Sequence, residues 1–437
     1  MHNFLIAIMV QEVSNMSFNT ISVIGLGYIG LPTAAMFASK KINVIGVDVN
    51  EHAINTINQG KIHIVEPGLE NIVQQAVKHG YLKAVMQAEP ADAFLIAVPT
   101  PFRDNHQPDL SYIHAASQSI APVLKKGDLV ILESTSPVGT TEQIAEWLAE
   151  LRPDLTFPQQ VGDTCDINIS HCPERVLPGH VVKELVANDR VIGGLTPVCS
   201  GRCVELYKIF VEGDCIITNA RTAEMAKLTE NSSRDVSIAF ANELSLICDE
   251  LDINVWELIS LANRHPRVNI LQPGPGVGGH CIAVDPWFIV AKTPNKAHLI
   301  RTAREVNDSK PLWVIEKVKS LVGEFLIQNP TKSATDVTTA CFGLAFKPNI
   351  DDLRESPSLA ITEQLAKSLP GKLLAVEPNI EVLPTHFSAK CTLVTIENAL
   401  EQADVIVMLV DHDQFKNIKP EQVKSKLIVD TKGLWSI

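Results

Sequence analysis

Residues 21–30 read Ile21-Ser22-Val23-Ile24-Gly25-Leu26-Gly27-Tyr28-Ile29-Gly30, a short apolar run that passes directly into a glycine turn. Apolar residues at helical spacing follow over 31–38, and a second predicted strand over 43–47 ends in Asp48. A strand, a glycine turn, a helix, a second strand and an acid about 20 residues further on form the fingerprint of a dinucleotide-binding unit. A glycine-rich turn in some unrelated α/β domain is the alternative, and the acid after the second strand argues against it.

Each position of this fingerprint has a predicted role. Gly25 allows the turn, Gly27 lets the backbone approach a pyrophosphate, and Gly30 lets helix and strand pack closely. The helix N-terminus offers N–H donors to the phosphates. Asp48 accepts hydrogen bonds from a ribose 2′-OH and repels a 2′-phosphate, which predicts NAD rather than NADP as the cofactor. The residues predicted to bind NAD here are Gly25, Gly27, Tyr28, Ile29, Gly30 and Asp48.

Two further apolar runs, residues 93–98 and 129–132, predict more strands of the same sheet. The polar loops that follow them contain Thr100 and Thr135. Ligands of open α/β sheets bind at the carboxyl ends of the strands, so both threonines are predicted to border the nicotinamide. A turn or helix-capping role is the alternative for Thr135.

The composition bounds the class of protein. The chain has 437 residues, 46% of them hydrophobic and 20% charged, which predicts a globular protein of two or three domains. The net charge of −13 argues against nucleic acid as a partner. We expect no insertion into a membrane. Nine cysteines without metal-ligand spacing indicate free thiols, no metal and a cytoplasmic location. Residues 1–15 are expected to be an extension that precedes a start at Met16.

A second glycine-rich stretch, Gln272-Pro273-Gly274-Pro275-Gly276-Val277-Gly278-Gly279-His280-Cys281, predicts a tight loop. Bare backbone N–H groups of such a loop can approach a ligand, and Cys281 stands where the loop ends. Asp285 follows four residues later. A buried core cysteine is the alternative interpretation. A second dinucleotide site is not expected here, because no strand leads into the loop and a proline lies inside it.

One long helix is predicted from Arg221 to about Leu251, since this segment has apolar periodicity and neither proline nor glycine. Such a helix commonly connects two domains and often forms a dimer contact. Lys227 and Asn231 lie four residues apart and therefore on one face, and Glu224 shares that stripe. An exposed polar stripe is the alternative.

Glu174 and Arg175 follow a predicted strand near Ile169. A carboxylate on such a loop is usually solvated, and a cation beside it can be a simple neighbour pair. On this segment alone, the surface interpretation is favoured over catalysis.

Together these motifs resemble the UDP-glucose/GDP-mannose dehydrogenase family, from about Thr20 to Lys432. The motifs that carry the resemblance are residues 25–30 with Asp48, 134–139, 173–175, Lys227 with 230–231, 276–285, and 342–348 with 354–356. Each is weak alone, whereas their number and order are specific.

The resemblance implies oxidation of the C6 hydroxymethyl group of a nucleotide sugar to a carboxylate with two NAD and without release of the aldehyde. Cys281 captures the aldehyde as a thiohemiacetal, which is oxidised to a thioester. Lys227, Asn231 and Asp285 serve the first oxidation. Glu174 and Thr135 act on the water that hydrolyses the thioester. The residues with an implied catalytic role are thus Cys281, Lys227, Asn231, Asp285, Glu174 and Thr135.

Two residues differ from those expected in the UDP-glucose branch: Arg175, which follows Glu174, and Ile282, which follows Cys281. They resemble instead the bacterial branch that oxidises UDP-N-acetyl-D-mannosamine for surface polysaccharides such as enterobacterial common antigen. UDP-N-acetylglucosamine, UDP-N-acetylgalactosamine and UDP-glucose stay open as substrates. The residues expected to bind the substrate are Glu174, Arg175, Val176, Lys227, Asn231, Arg267, Gly276, Gly278 and Lys347.

Beyond a polar linker, predicted strands at 340–345, 373–376, 393–396 and 405–410 alternate with helices. This segment resembles the UDP-binding domain of the family. The resemblance places Lys347 on the substrate side and Arg354 towards NAD.

The predicted fold class is α/β, with two Rossmann-like doubly wound domains joined by a long central helix. The predicted boundaries are 16–219 for the NAD-binding domain, 220–328 for the central helical domain with the catalytic loop, and 329–437 for the UDP-sugar-binding domain. We expect a homodimer formed through the central helix. A two-electron hydroxyacid dehydrogenase and a non-catalytic nucleotide-sugar sensor are the alternatives. The first needs neither Cys281 nor the second α/β domain, and the filled catalytic positions disfavour the second.

Overall fold

The structure, a computed structural model, describes residues 18–177, 179–279, 281–385, 387 and 390–435. The predicted extension over residues 1–15 lies outside the described residues. The chain divides between Glu230 and Asn231 into two compact units, which we call the N-terminal and C-terminal units.

The N-terminal unit contains an eight-stranded sheet with the strand order β10-β9-β8-β7-β4-β1-β2-β3. All neighbours are parallel except β8 and β9. The strands of this unit are β1 (Thr20–Ile24), β2 (Asn43–Val47), β3 (Leu82–Val85), β4 (Ala93–Ile96), β5 (Phe102–Arg103), β6 (Gln107–Pro108), β7 (Leu129–Leu132), β8 (Asn168–His171), β9 (Arg190–Gly194) and β10 (Cys215–Asn219). The short β5 and β6 pair with each other as a hairpin.

Helices cover both faces of this sheet. They are α1 (Gly30–Ser39), α2 (Glu51–Asn58), α3 (Leu69–Lys78), α4 (Ser111–Ile120), α5 (Thr140–Leu151), α6 (Pro158–Val161), α7 (Val181–Ala187) and α8 (Pro197–Tyr207), followed by α9 (Ala220–Glu250). Strands β4 and β7 are buried along their whole length, as central parallel strands require. Alternate residues of β1 serve two cores, with Val23 in one and Ile24 in the other. The central strands therefore hold their carboxyl ends at one rigid edge.

The C-terminal unit contains a five-stranded parallel sheet with the order β13-β12-β11-β14-β15. Its strands are β11 (Thr338–Phe342), β12 (Lys372–Val376), β13 (Cys391–Leu393), β14 (Val405–Met408) and β15 (Leu427–Asp430). Its helices are α10 (Val255–Ala262), α11 (Asp285–Lys292), α12 (His298–Gln328), α13 (Pro357–Ser368), α14 (Ile396–Gln402) and α15 (Pro420–Val423). Helix α9 crosses the division between the units.

The predicted fold class is confirmed, since two Rossmann-like parallel sheets and a long central helix are present. Helix α9 begins and ends one residue before the predicted bounds. The boundaries of the three predicted domains stay a prediction.

Three strand predictions in the C-terminal unit were wrong in their bounds, and one of them, over 405–410, is β14, which ends at Met408. Strand β11 ends at Phe342 and not at residue 345, because Gly343 turns the chain with a φ of 89°. The strand predicted over 393–396 is β13, which ends at Leu393. There the side chain of Thr395 accepts a hydrogen bond from the backbone N–H of Asn398 and caps α14.

Among the described residues, none of the helices is both long enough and apolar enough to span a membrane.

Candidate active site

The glycine turn after β1 has the geometry that its three glycines predict. Gly25 has a φ of 92°, which favours glycine. A Cβ atom on Gly30 would lie 1.8 Å from the carbonyl oxygen of Gly25, so only glycine fits there. A Cβ atom on Gly27 would meet nothing within 4 Å. The middle glycine therefore leaves open space beside the backbone, as the approach of a pyrophosphate requires.

Asp48 is fixed at the end of β2. One carboxylate oxygen accepts a 2.8 Å hydrogen bond from the backbone N–H of Leu26, and the other accepts one of 2.8 Å from that of Asn50. The carboxylate thus ties the glycine turn to the second strand. Tyr28 is 37% exposed in the same turn. The arrangement fits the adenosine half of NAD.

Two hydroxyl groups at the ends of β4 and β7 are buried without a hydrogen-bond partner among the described residues. They are Thr100 Oγ1 and Ser136 Oγ. Buried polar atoms are nearly always satisfied, so such orphans indicate a missing ligand group or water. Thr135, which directly precedes Ser136, is half-buried, and Gly139 rather than Thr135 is the N-cap of α5. The capping alternative for Thr135 is therefore wrong.

Glu174 is buried, with an exposure of 6%, so the solvated-surface interpretation is wrong. Its Oε2 accepts a 2.7 Å hydrogen bond from Nη1 of Arg190, and its Oε1 accepts one of 2.6 Å from the backbone N–H of Arg175. The guanidinium of Arg175 pairs instead with Glu230 at 2.7 Å. Val176 packs against the core of the N-terminal unit. The Glu174 carboxylate is thus oriented by a buried cation that the sequence did not reveal.

Glu66 is a second carboxylate that the sequence analysis missed. It is 5% exposed and accepts 2.9 Å hydrogen bonds from the backbone N–H groups of Gly179 and Val181. Gly179 precedes α7 and Val181 is the first residue of this helix, which follows the loop that carries Glu174. Glu66 therefore anchors the end of that loop. The signal available in the sequence was an acid next to a Pro-Gly turn, which is typical of many surface loops.

The polar stripe on α9 has two different environments within the N-terminal unit. Glu224 is buried and accepts hydrogen bonds from the backbone N–H groups of Gly139 and Thr141, at 2.6 and 2.8 Å. It therefore holds the beginning of α5. Lys227 is half-buried, and its ammonium group has no partner in the part of the chain that the structure describes. Such a cation is available to a ligand.

In the C-terminal unit, Asn231 and Asp285 are in direct contact. Asn231 Nδ2 donates a 2.5 Å hydrogen bond to Asp285 Oδ2. Asp285 is 4% exposed and is the first residue of α11. An amide donor and a buried carboxylate four residues after Cys281 form a group that can bind an alcohol and accept its proton.

Cys281 is exposed, whereas the other eight cysteines are buried or half-buried. Its backbone carbonyl accepts hydrogen bonds from the N–H groups of Val284 and Asp285, at 3.1 and 2.9 Å. The residue therefore lies in the turn that leads into α11. The buried-core interpretation of Cys281 is wrong.

The glycines before Cys281 allow close packing within the C-terminal unit. A Cβ atom on Gly276 would lie 2.9 Å from Cβ of Pro357, and one on Gly278 would lie 2.6 Å from the carbonyl oxygen of Glu355. The N–H of Gly274 donates a 2.9 Å hydrogen bond to Asn242 Oδ1. The loop is therefore held against the segment that carries Arg354. Whether Gly276 and Gly278 also bind substrate stays a prediction.

The loop that carries Lys347 is held by a buried pair at the ends of β12 and β14. Oε2 of Glu377 accepts hydrogen bonds from the backbone N–H groups of Leu344 and Ala345, at 2.7 and 3.1 Å. His412 Nδ1 accepts a hydrogen bond from the N–H of Asn349 at 3.0 Å, and its Nε2 donates one of 3.0 Å to Oε2 of Glu377. Burial raises the pKa of Glu377, but the hydrogen bond from His412 and those from the backbone outweigh burial, so the pKa of Glu377 is lowered.

Two of the predicted cations are exposed. Arg354 forms an ion pair of 2.6 Å with Asp352. Arg267 lies in the turn after α10, and its N–H is 3.4 Å from Nδ1 of His265. The structure thus brings together Asn231 with Asp285, and Glu174 with Arg175. Among the described residues, no hydrogen bond or ion pair joins Arg267 to another of the predicted site residues.

Comparison with known proteins shows similarity along almost the whole chain. Three models of the UDP-glucose/GDP-mannose dehydrogenase family match: the NAD-binding domain over residues 19–211, the central domain over 221–309 and the UDP-binding domain over 340–437. A UDP-N-acetyl-D-mannosamine dehydrogenase of Yersinia pestis is 68% identical over 96% of this chain and 100% of its own. An NDP-N-acetyl-D-galactosaminuronic acid dehydrogenase of Ralstonia nicotianae is 61% identical over 97% of each chain.

The fold is also similar to a solved structure. The UDP-D-ManNAc dehydrogenase of Pyrococcus horikoshii superposes with a TM-score of 0.83 and is 39% identical, covering 95% of this chain and 96% of that one.

Proposed function

The chain belongs to the UDP-glucose/GDP-mannose dehydrogenase family, and from this premise we propose that it oxidises UDP-N-acetyl-D-mannosamine at C6 to the uronate. One alcohol, one water and two NAD⁺ give one carboxylate, two NADH and three protons. The observation that carries the proposal is the exposed Cys281 four residues before the buried Asp285, in a chain 68% identical to a dehydrogenase named for this sugar.

NAD supplies the hydride acceptor for both oxidations. The residues proposed to hold it are Gly25, Gly27, Tyr28, Ile29, Gly30, Asp48, Thr100, Thr135 and Arg354. The open space at Gly27 supports this assignment, and so does the Thr100 hydroxyl, which has no hydrogen-bond partner within the described part of the chain. The N-terminus of α1 supplies backbone donors to a pyrophosphate.

In the first stage, Asp285 takes the proton of the C6 hydroxyl, directly or through a water. Lys227 and Asn231 stabilise the oxyanion that develops there. The hydrogen bond between Asn231 and Asp285 fixes the donor relative to the base. The ammonium group of Lys227 has no partner among the described residues, which supports its role, because a half-buried cation is strongly stabilised by an anionic ligand.

In the second stage, the Cys281 thiolate adds to the aldehyde carbon, so a C–S bond forms and the C=O π bond breaks. The oxygen takes back the proton that Asp285 accepted in the first stage and becomes the hydroxyl of a thiohemiacetal. Removal of a hydride and the hydroxyl proton leaves a thioester. Water then attacks the thioester carbon, Glu174 accepts the proton of the water, and the C–S bond breaks to release the thiolate. The buried Arg190 supports this role, since it keeps the Glu174 carboxylate oriented.

We assign Arg175, Val176, Arg267, Gly276, Gly278 and Lys347 to the binding of the UDP-sugar. The clamp formed by Glu377 and His412 supports Lys347, because it fixes both ends of the loop that carries it.

We further propose a cytoplasmic homodimer that supplies the uronate for a surface polysaccharide such as enterobacterial common antigen. The exposed side chains of Phe240, Ile247 and Leu251 support the dimer, since Phe240 and Ile247 lie on one face of α9, Leu251 directly follows this helix, and the three are 47–60% exposed. The nine cysteines, all of which the structure describes, form no disulfide with one another, which supports a reducing compartment.

The relative from Ralstonia nicotianae favours a second candidate substrate, a UDP-N-acetylhexosamine of the galacto series. The deciding experiment measures NADH produced per sugar consumed, with NAD⁺ and a panel of UDP-sugars. Two NADH per UDP-N-acetylmannosamine, with UDP-glucose inert, supports the proposal. One NADH per sugar would overturn the four-electron reaction, and a preference for UDP-N-acetylgalactosamine would overturn only the substrate.

A further inference from the structure

Arg190 lies between two buried carboxyl groups. Its Nη1 is 2.7 Å from Oε2 of Glu174 and 3.9 Å from Oε1 of Glu133. The guanidinium is 2% exposed and packs over the ring of Tyr207, with 4.8 Å from Cζ to the ring centroid. Its Nη2 donates to the carbonyl oxygen of Leu185. A single cation is therefore shared by the proposed base Glu174 and by Glu133, which has no assigned role.

Glu133 has donors at only one of its oxygens. Oε1 accepts hydrogen bonds from the hydroxyl groups of Tyr207 and Thr33, at 3.0 and 3.3 Å. Oε2 is buried and has no partner within the described residues. Both of the donors are neutral, so neither compensates an ionised carboxylate as a cation does.

The balance of charge decides where a proton resides. With both carboxyl groups ionised, one guanidinium leaves the cluster with a buried net negative charge, which is costly. One proton makes the cluster neutral. Glu174 has the close ion pair and a backbone donor, whereas Glu133 lies 3.9 Å from the cation. The proton therefore resides on Glu133. In agreement, burial and then the charge of Glu174 raise the pKa of Glu133 to about 8.

The other titratable groups that face the cluster are Tyr207, Cys172 and Cys203, with Cys215 next to Cys203. Burial raises the pKa of Tyr207 and that of Cys203 well above their ordinary values. Both stay neutral in the range in which Glu133 ionises.

We propose that Glu133 is a proton-holding positioning residue for Glu174. While Glu133 is neutral, Arg190 forms its ion pair with the Glu174 carboxylate alone. Once Glu133 is ionised, it attracts the guanidinium of Arg190 and weakens the ion pair between Arg190 and Glu174. This inference rests on the proposed role of Glu174 in thioester hydrolysis, which is the step that we expect to slow when Glu133 loses its proton.

The first experiment compares the pH profiles of the native enzyme and Glu133→Gln with UDP-N-acetylmannosamine and NAD⁺. Rapid mixing separates the initial burst of NADH, which precedes hydrolysis, from the steady state. We expect the native steady-state rate to fall several-fold above about pH 8 with one ionisation, while the burst does not. In Glu133→Gln, which carries no ionisable group there, the fall is absent. Glu150→Gln, an exposed position on α5, is the matched control and keeps the native profile.

A fall that persists unchanged in Glu133→Gln would overturn the inference. A purely structural role of Glu133 would lower burst and steady state together at every pH, and this result would also overturn it. If Glu133→Gln does not fold, Tyr207→Phe provides the second test. This substitution removes the hydroxyl that donates a hydrogen bond to the ionised carboxylate of Glu133. The pKa of Glu133 then rises, so the fall in the steady-state rate must move to higher pH.

The second experiment needs no substrate. Infrared difference spectra between pH 7 and pH 10 should contain the carbonyl stretch of a protonated buried carboxyl group, which must be absent in Glu133→Gln. Absence of this band from the native spectrum overturns only the inference. If the band is present but no UDP-sugar is oxidised, the proposed function fails and the positioning role fails with it.

Discussion

Asn231 Nδ2 and Asp285 Oδ2 lie 2.5 Å apart, so that helix α9 supplies the donor and the first residue of helix α11 supplies the acceptor. The carboxylate is buried and its partner amide belongs to the stiff interior of a 31-residue helix. An acceptor fixed in this way has the orientation that proton transfer requires.

Asp285→Asn should therefore lower kcat by about 10²- to 10⁴-fold with little change in KM, since the amide keeps the shape but cannot take up a proton. Steady-state kinetics with the UDP-sugar checks this. Asp249→Asn, which breaks an exposed ion pair with Lys317, is the matched control and should keep native kcat. A native kcat in Asp285→Asn would contradict the role of Asp285 in proton transfer.

Cys281 offers a test of covalent catalysis. Because it is the exposed cysteine among the nine, iodoacetamide should modify it first, and bound UDP-sugar should protect it. Cys281→Ser should lower carboxylate formation by at least about 10³-fold, since an alcohol is a far weaker nucleophile than a thiolate. Peptide mass spectrometry and assays of the uronate measure the two effects. Cys165→Ser, at a half-buried cysteine, is the control, and equal losses in both variants would refute a special role of Cys281.

The sequence predicted those parts of the site that depend on local geometry. The glycine turn, the acid after β2 and the exposed cysteine before α11 are all set by residues within one turn or one strand end. The partners of Glu174 and Glu377 were not predicted. Arg190 and His412 lie 16 and 35 residues away in the chain, and only the packing of strands brings them near. A buried carboxylate and a solvated one look the same in a single sequence.

Glu66 should control the loop after Glu174. Glu66→Ala leaves the N–H groups of Gly179 and Val181 without acceptors, which should lower the free energy of unfolding by about 1–3 kcal/mol. Denaturant unfolding of the purified variant measures this loss. Glu70→Ala, at an exposed position in the first turn of α3, should cost less than about 1 kcal/mol. Equal losses in the two variants would show that the Glu66 anchor contributes nothing.

Lys310 should make stability depend on pH. Burial lowers the pKa of Lys310 to about 7, whereas a lysine in the unfolded chain keeps about 10.4. Between these values the unfolded chain binds more protons than the native one, so the free energy of unfolding rises with pH. Lys310→Met should therefore stabilise the protein below pH 7, by on the order of 4 kcal/mol at most, and lose this advantage by about pH 10.

Denaturant unfolding at several pH values measures the dependence on Lys310. Lys319→Met, at an exposed position on the same helix, is the control and should leave the native pH dependence unchanged. If the free energy of unfolding of Lys310→Met changes with pH as that of the native protein does, Lys310 is charged in the folded protein.

The glycine turn allows folding and cofactor binding to be separated. Gly27→Ala adds a Cβ that meets nothing within 4 Å, so its stability should stay within about 0.5 kcal/mol of native. Its affinity for NAD should nevertheless fall at least tenfold, because the methyl group occupies the space that the pyrophosphate needs. Gly30→Ala is the matched variant, since its Cβ would lie 1.8 Å from the carbonyl oxygen of Gly25. It should lose stability and NAD binding together. Calorimetric titration with NAD and thermal unfolding measure both properties, and native affinity in Gly27→Ala would exclude the pyrophosphate from this turn.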